Sequence, residues 1–264
     1  MFDPAPQDLV LTMLGAHLHP REGSTVWSGG LVTLLADFGF TEGAARVALT
    51  RLVRRDLLAK VKNGRMVHYT ITPRATAALA EGDRRIFSLG RESAPVTGWT
   101  VLWHAIPDDQ RLARTRLVRR LRFLGFGPVH DGGWLAPHDR VAEVAALLAE
   151  LGVSEHAGVL LGAPTSDFAV FVPRVWDLGA LDERYRAFVA EFADAGTAPD
   201  ERSAFGLRVR LAHAYRQFVP LDPELPTDLV PPPRHRAEAV RLFHAVYPAL
   251  ADQAQRHFDG VMAQ

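Results

Sequence analysis

Two short runs in which apolar and polar residues alternate meet at Asn63-Gly64. A two-residue hairpin loop needs positive φ angles that Asn-Gly adopts readily. The pair between LLAKVKN and RMVHYTIT therefore predicts an antiparallel strand pair with its turn fixed in place. Val61 lies before the turn, and Met66, Tyr69 and Ile71 lie after it. Upstream, Thr41 begins TEGAARVALTRLVRRDLL, a helical pattern with Thr41 as N-cap and Glu42 in the first turn, where an acid favours the helix N-terminus. Val47, Ala48, Leu49, Leu52 and Val53 are read as the buried side of this helix, and Glu42, Gly43, Arg46, Thr50 and Arg54 as lying toward the other.

Two shorter helical patterns precede it, DLVLTMLGAHL (8–18) and VWSGGLVTLLADFGF (26–40), the second ending at Gly39. After the hairpin, ITPRATAALAEG starts another helix with Thr72 as N-cap and Pro73 at its first position. Three helices, a hairpin and a helix are the order of a winged helix-turn-helix, spanning residues 7–82. In that arrangement one helix enters the major groove of duplex DNA and the hairpin grips the adjacent backbone or minor groove. Charge agrees locally. The whole chain carries 30 basic and 30 acidic side chains, yet residues 41–65 hold seven basic side chains and two acids, a net of +5. Groove geometry assigns base contacts to Gly43, Arg46 and Thr50, with Arg46 suited to a guanine edge. Arg54 shares the DNA-facing side, and Lys62, Asn63 and Arg65 at the wing tip are expected on phosphates. Arg51, beside Leu52, has the alternative of an ion pair with Asp37 or Asp56.

A polar stretch, EGDRRIFSLGRESAPVTG, reads as a linker to a second block at 97–163. There a strand, TGWTVLWHAI, stops at Pro107 and the turn Asp108-Asp109. A helix follows with Leu112, Leu117, Leu121 and Leu124 inward. Two short strands around Gly132-Gly133, a helix over 139–152 and a last strand, HAGVLLGAP, complete a β-α-β-β-α-β pattern, that of a ferredoxin-like domain. Six arginines fall between 111 and 122. They suit extra DNA backbone contact or acyl-anion binding, although a solvated helix face is the simpler reading. The third block, 164–264, is helical and broken by prolines at 220–233. Leu178, Leu181, Tyr185, Phe188, Val189 and Phe192 fall at helical spacing and read as core. Arg208, Arg210, His213 and Arg216 share one helical segment. They either bind a negatively charged effector or pin the DPELP loop by hydrogen bonds and ion pairs. The fold class is thus α+β: an N-terminal winged helix-turn-helix, a central ferredoxin-like domain and a C-terminal helical domain.

Enzyme motifs do not emerge. The chain has no cysteine, no Gly-rich phosphate loop and no G-x-S-x-G elbow. Neither His17 with His19 nor His130 with His138 has a metal-ligand spacing. No apolar run reaches membrane-spanning length, and the N-terminus lacks the basic region of a signal peptide. A cytoplasmic, non-enzymatic chain without cofactor or metal is expected. The alternative is a metal-dependent nuclease built on the central domain.

Several stretches in order resemble the PaaX family, repressors of phenylacetic acid catabolism in bacteria. They are LTMLGAHLHPREG with FGFTEGAARVALTRLVRRDLL, then WTVLWHAIPDDQRLARTRLVRRLRFLGFG and WLAP, then VWDLGALDERYRAFV, LAHAYRQFVPLDPELPTDLVPPP and AVRLF. The resemblance covers nearly the whole chain. It implies the three domains above, a homodimer on an inverted-repeat operator in double-stranded DNA, and release by an aryl-acetyl-CoA thioester as effector. It implies a DNA-reading role for Gly43, Arg46 and Thr50. The family helix usually reads AVRTALSRL, whereas here AARVALTRL places Val47 where a threonine is common, a change that bears on operator sequence. The middle block also resembles the small CRISPR-associated ferredoxin-like nuclease, which carries an aspartate at the end of its first strand. Here LWHAIP puts His104 or Ala105 there, with Asp108 and Asp109 beyond it in the turn, which argues against nuclease activity.

Overall fold

The computed structural model describes residues 4–63, 66–91, 98–163, 169–196 and 198–263. The chain is mixed α and β with two antiparallel sheets, and it divides into two compact units. The first unit comprises Met1–Ser88, Phe188–Arg216 and Arg241–Gln264. The second comprises Leu89–Ala187 and Gln217–Val240.

The first unit opens with α1 (Pro6–His17), β1 (Thr25–Trp27), α2 (Ser28–Ala36), α3 (Glu42–Arg54), β2 (Leu58–Asn63), β3 (Met66–Ile71) and α4 (Pro73–Ser88). Local signals set the boundaries. The Thr41 hydroxyl oxygen accepts from the Ala44 amide at 3.2 Å, satisfying one of the orphan donors that open α3. Thr72 does the same for α4, accepting from the Ala75 amide at 3.2 Å while donating to the Asp56 carbonyl at 2.8 Å. The hairpin pairs Asn63 with Met66 and runs in register to Leu58 opposite Ile71. The second helical stretch is shorter than its pattern indicated. Val26 and Trp27 lie in β1, which pairs with β3 opposite Tyr69 and His68 and completes a three-stranded sheet in the order β1-β3-β2. Helix α4 runs to Ser88, through residues whose polarity had read as a linker.

Leu9, Val10, Met13 and Leu14 of α1, Leu31, Leu34 and Leu35 of α2, and Ala45, Leu49 and Leu52 of α3 share one core with Tyr69 and Ile71. Late parts of the chain complete it: Phe205 and Val209 of α9 (Glu201–Tyr215), and Ala254, Phe258 and Val261 of α11 (Ala251–Met262). Residues after 164 are thus shared between the two units.

The second unit contains β4 (Trp99–His104), α5 (Arg111–Phe123), β5 (Gly127–His130), β6 (Gly133–Ala136), α6 (Val141–Leu151) and β7 (Ala157–Gly162), the β-α-β-β-α-β order. Its sheet runs β5-β6-β4-β7, antiparallel at every pairing. Leu102, Trp134 and Ala136 meet Leu117 and Leu121 of α5 and Val144, Leu147 and Leu148 of α6. Trp99 and Leu135 pack instead with Val172 of α7 (Val172–Val175), Trp176 and Leu225. Leu112 does not turn inward: at 65% exposure it stands off the stripe of Leu117 and Leu121, because five residues advance a helix by about 140°.

The DPELP loop is held by charge. Asp222 is buried, accepts from the Tyr185 hydroxyl at 2.7 Å and pairs with Arg236 at 2.8 Å. Glu224 meets Arg236 at 3.0 Å and accepts from the Gly90 amide at 3.0 Å. Tyr185 lies on α8 (Leu178–Phe192) and Arg236 opens α10 (Arg236–Ala249). Arg236, the Tyr185 hydroxyl and the Gly90 amide thus hold the loop's two carboxylates.

Candidate nucleic-acid interface

Helix α3 buries a narrow stripe of Ala45, Ala48, Leu49 and Leu52 and leaves the rest to solvent. Glu42, Gly43, Arg46, Thr50, Arg51, Arg54 and Arg55 are all exposed. Val47, expected inside, is 50% exposed. Ala45 takes the inward place, and Val47 stands near the centre of the outer face, flanked in helical projection by Gly43, Thr50 and Arg54. An apolar side chain at that point makes the face chemically mixed: cations at its edges and a branched aliphatic surface between them.

The outer face is partly ordered by its own bonds. Arg46 donates from Nε at 2.8 Å and from Nη2 at 2.5 Å to Oε1 of Glu42, one turn earlier. The Thr50 hydroxyl donates to the Arg46 carbonyl at 2.9 Å, so its remaining lone pair and its methyl are what it offers outward. Arg46 also lies near Tyr69 of β3. Burial pushes the Tyr69 phenol up from its ordinary value, and the Arg46 charge opposes that shift. The ion pair considered for Arg51 with Asp37 does not form: Asp37 accepts from Arg202 at 2.8 Å and from His257 at 2.9 Å.

Asp56 links the helix to the hairpin, with φ +54 in the left-handed region that favours glycine. Lys60 and Lys62 are exposed on β2, as are Val61 and Met66 near the hairpin's end. Asn63 closes β2 opposite Met66. Arg65 lies outside the described residues, as does Gly64. Arg55 and Lys60, exposed beside these residues, join the candidate face; the positive charge of 41–65 is their only signal in the sequence.

The four residues expected to meet an effector do not share one environment. Arg210 is exposed. Arg208 is buried and donates to two main-chain carbonyls, Ala16 at 3.1 Å and Tyr247 at 3.2 Å, near the C-terminal ends of α1 and α10, where a cation is favoured. Its guanidinium lies 4.2 Å from the Tyr247 ring centroid. Beside it, the His17 imidazole accepts from Arg208 at one nitrogen and donates through Nδ1 to Gln255 at 3.2 Å. Burial, then the Arg208 charge, lowers the His17 pKa to about 3. Arg216 donates to the Thr12 hydroxyl at 2.9 Å, near Asp8. His213 lies beside the same hydroxyl, and burial followed by the Arg216 charge lowers its pKa to about 4.

Among the described residues no group of three or more His, Asp or Glu side chains is arranged to hold a metal ion. No described helix is long and apolar enough to cross a membrane.

Three family descriptions match the chain in succession. Residues 5–75 match PaaX-like protein, residues 94–167 the PaaX protein central Cas2-like domain, and residues 176–260 the PaaX-like protein C-terminal domain. The chain belongs to the PaaX family. A PaaX relative, the transcriptional repressor PaaX of Escherichia coli (strain K12), is 27% identical over 235 residues, covering 84% of this chain and 73% of the relative. Among solved structures, the uncharacterized protein Rv0674 from Mycobacterium tuberculosis is similar with a TM-score of 0.57 and 25% identity, covering 97% of this PaaX-family chain and 98% of that one.

Proposed function

We propose that this chain is a DNA-binding transcriptional regulator, a repressor, that reads duplex DNA with α3 and the β2-β3 hairpin acting as a winged helix-turn-helix. One observation carries the reading. The outer face of α3 is entirely solvent-exposed, its arginines are not drawn inside the protein, and the hairpin that follows continues the positive charge with Lys60 and Lys62. Arg46, Gly43 and Thr50 are the base-reading set. Arg54 supports them, and Lys62, Asn63 and Arg65 meet phosphates. Val47 joins the reading face on account of its exposure. The E. coli relative is a transcriptional repressor, which favours this reading over a nuclease and over an enzyme of any kind.

The central domain's ferredoxin-like order serves as a scaffold in this account. A homodimer on an inverted-repeat operator, a cytoplasmic site of action and control by an aryl-acetyl-CoA thioester complete the proposal. An effector acts by binding the DNA-competent and incompetent states with different affinity. Arg208, His213 and Arg216 meet it only if their internal hydrogen bonds open, whereas Arg210 is already accessible.

The test is a binding titration on the duplex recovered by selection from a randomised library with the full chain. Arg46→Ala is expected to weaken binding to that duplex by about 1–3 kcal/mol while random-sequence binding changes far less. Equal affinity of wild type and variant for the selected duplex removes Arg46 from the reading set. Absence of any duplex binding by the wild-type chain overturns the regulator reading.

A further inference from the structure

We infer that the solvent face of α5 in the second unit is a further duplex-DNA contact, made to phosphates and blind to sequence. Helix α5 contains six arginines and no acid in 13 residues, within a chain of balanced charge. Its apolar stripe, Leu117 and Leu121, is buried against the sheet. Arg111, Arg116, Arg119, Arg120 and Arg122 are exposed on the remaining surface. Arg114 meets Asp108 at 3.1 Å, and Arg120 lies 5.0 Å from the Phe123 ring centroid. Among the described residues, Arg111, Arg116, Arg119 and Arg122 make no side-chain hydrogen bond or ion pair.

The density of that pattern sets α5 apart from the other helices, where several exposed arginines are paired. Arg46, Arg84 and Arg186 each meet a glutamate three or four residues away, Glu42, Glu81 and Glu183. Among the described residues, exposed arginines without a carboxylate partner stand scattered at Arg74, Arg174, Arg184, Arg210 and Arg241, and such cations gather densely at the end of α3 and along β2 (Arg51, Arg54, Arg55, Lys60 and Lys62) and on α5. The likeness of the two clusters is the argument for a shared partner. Geometry narrows the class. Thirteen helical residues span ~20 Å, an axial length over which duplex DNA carries ~12 phosphate charges. The arginines are spread along the outside of a helix rather than converging on a point. They fit an extended polyanion and not the compact charge of a small effector. Since only phosphates are met, the contact strengthens every duplex alike.

This inference rests on the DNA-binding reading above, and one experiment separates the two. Affinity of the full chain for a 40-bp random-sequence duplex and for the selected duplex is measured by fluorescence anisotropy from 50 to 300 mM NaCl. Wild type is compared with Arg116→Gln/Arg119→Gln/Arg122→Gln and with the corresponding triple lysine variant. Each lost phosphate contact lowers the slope of log K against log[salt] by about 0.9. The glutamine triple is therefore expected to lose up to about 2.7 units of slope on both duplexes, with binding up to about 500-fold weaker at 0.1 M salt. The lysine triple is expected to keep the wild-type slope. A wild-type slope in a glutamine triple that melts at the wild-type temperature overturns the α5 contact and leaves the α3 reading intact. So does a loss of poly-glutamate binding without a change on DNA, which points to an acidic protein partner. If wild type binds neither duplex, the DNA-binding reading itself has failed.

Discussion

Arg46 is tied to Glu42 by two hydrogen bonds to a single carboxylate oxygen, at 2.8 and 2.5 Å, on the exposed face of α3. The side chain with the strongest case for reading a guanine is thus held by an acid that a DNA phosphate would repel. Both side chains are 65% exposed, and contacts of that kind are worth roughly 0.2–1 kcal/mol, so a guanine edge competes easily. Glu42→Gln is expected to tighten duplex binding by about that amount, on random and selected sequences alike. Weaker binding in a salt-controlled titration would show that Glu42 positions Arg46 for reading instead of withholding it.

Val47 presents an aliphatic surface in the middle of that face. The thymine methyl is the one apolar group on the major-groove edge, and covering it is worth about 0.8 kcal/mol. Replacing single thymines of the selected duplex by deoxyuridine is expected to weaken wild-type binding by that amount at one position per half-site. Val47→Ala should be insensitive there. The same deoxyuridine penalty in wild type and variant would place Val47 away from the bases.

The turn from α3 into the hairpin strains Asp56, whose φ is +54. A β-branched residue tolerates that conformation poorly, at a cost of about 1–2 kcal/mol, while glycine adopts it freely. Asp56→Val should lower the melting temperature and Asp56→Gly should hold or raise it. Thr72 bonds the Asp56 main-chain carbonyl, which every variant keeps. Equal melting of both variants would contradict the left-handed turn.

Two histidines make the first unit sensitive to acid. The pKa values of His17 and His213 are lowered to about 3 and about 4, mainly by burial and then by Arg208 and Arg216 respectively. Both are neutral in the fold and take up protons near pH 6.5 on unfolding. Their contribution is therefore complete above pH 6.5 and is lost as pH falls toward 4. At pH 5 each is expected to cost about 2 kcal/mol of stability. Denaturant melts between pH 7 and 5 should show this fall, and His17→Gln should reduce it. A pH-independent midpoint would contradict neutral burial.

Sequence legibility followed the distance over which each interaction acts. Thr41 and Thr72 cap helices by bonds three residues ahead, so both caps were readable; the hairpin was readable as well, but its turn was placed one residue early, since Asn63 closes β2 opposite Met66. The strand at Val26-Trp27 was not, because it forms by pairing with Tyr69 and His68 more than forty residues away. Val47 and Leu112 were assigned inward on apolar character alone. Their helices turn other faces to the core, and residue type cannot outvote helical phase. Among the candidate residues, the outward position of Gly43, Arg46, Thr50 and Arg54 was legible from α3's periodicity. The roles of Arg208 and Arg216 were not: one caps carbonyls of residues 16 and 247, the other bonds Thr12, and no local pattern encodes partners so distant.

The most direct test of the account exploits the absence of cysteine. Arg51→Cys, at the exposed flank of α3, supplies a unique thiol for an iron-EDTA cleavage reagent while leaving Arg46, Val47 and Thr50 untouched. Bound to the selected duplex, the labelled protein is predicted to cut the DNA at a few adjacent base pairs, repeated once in each half-site. Uniform cleavage, or none above the free reagent on a duplex that is demonstrably bound, would mean that α3 does not lie against DNA.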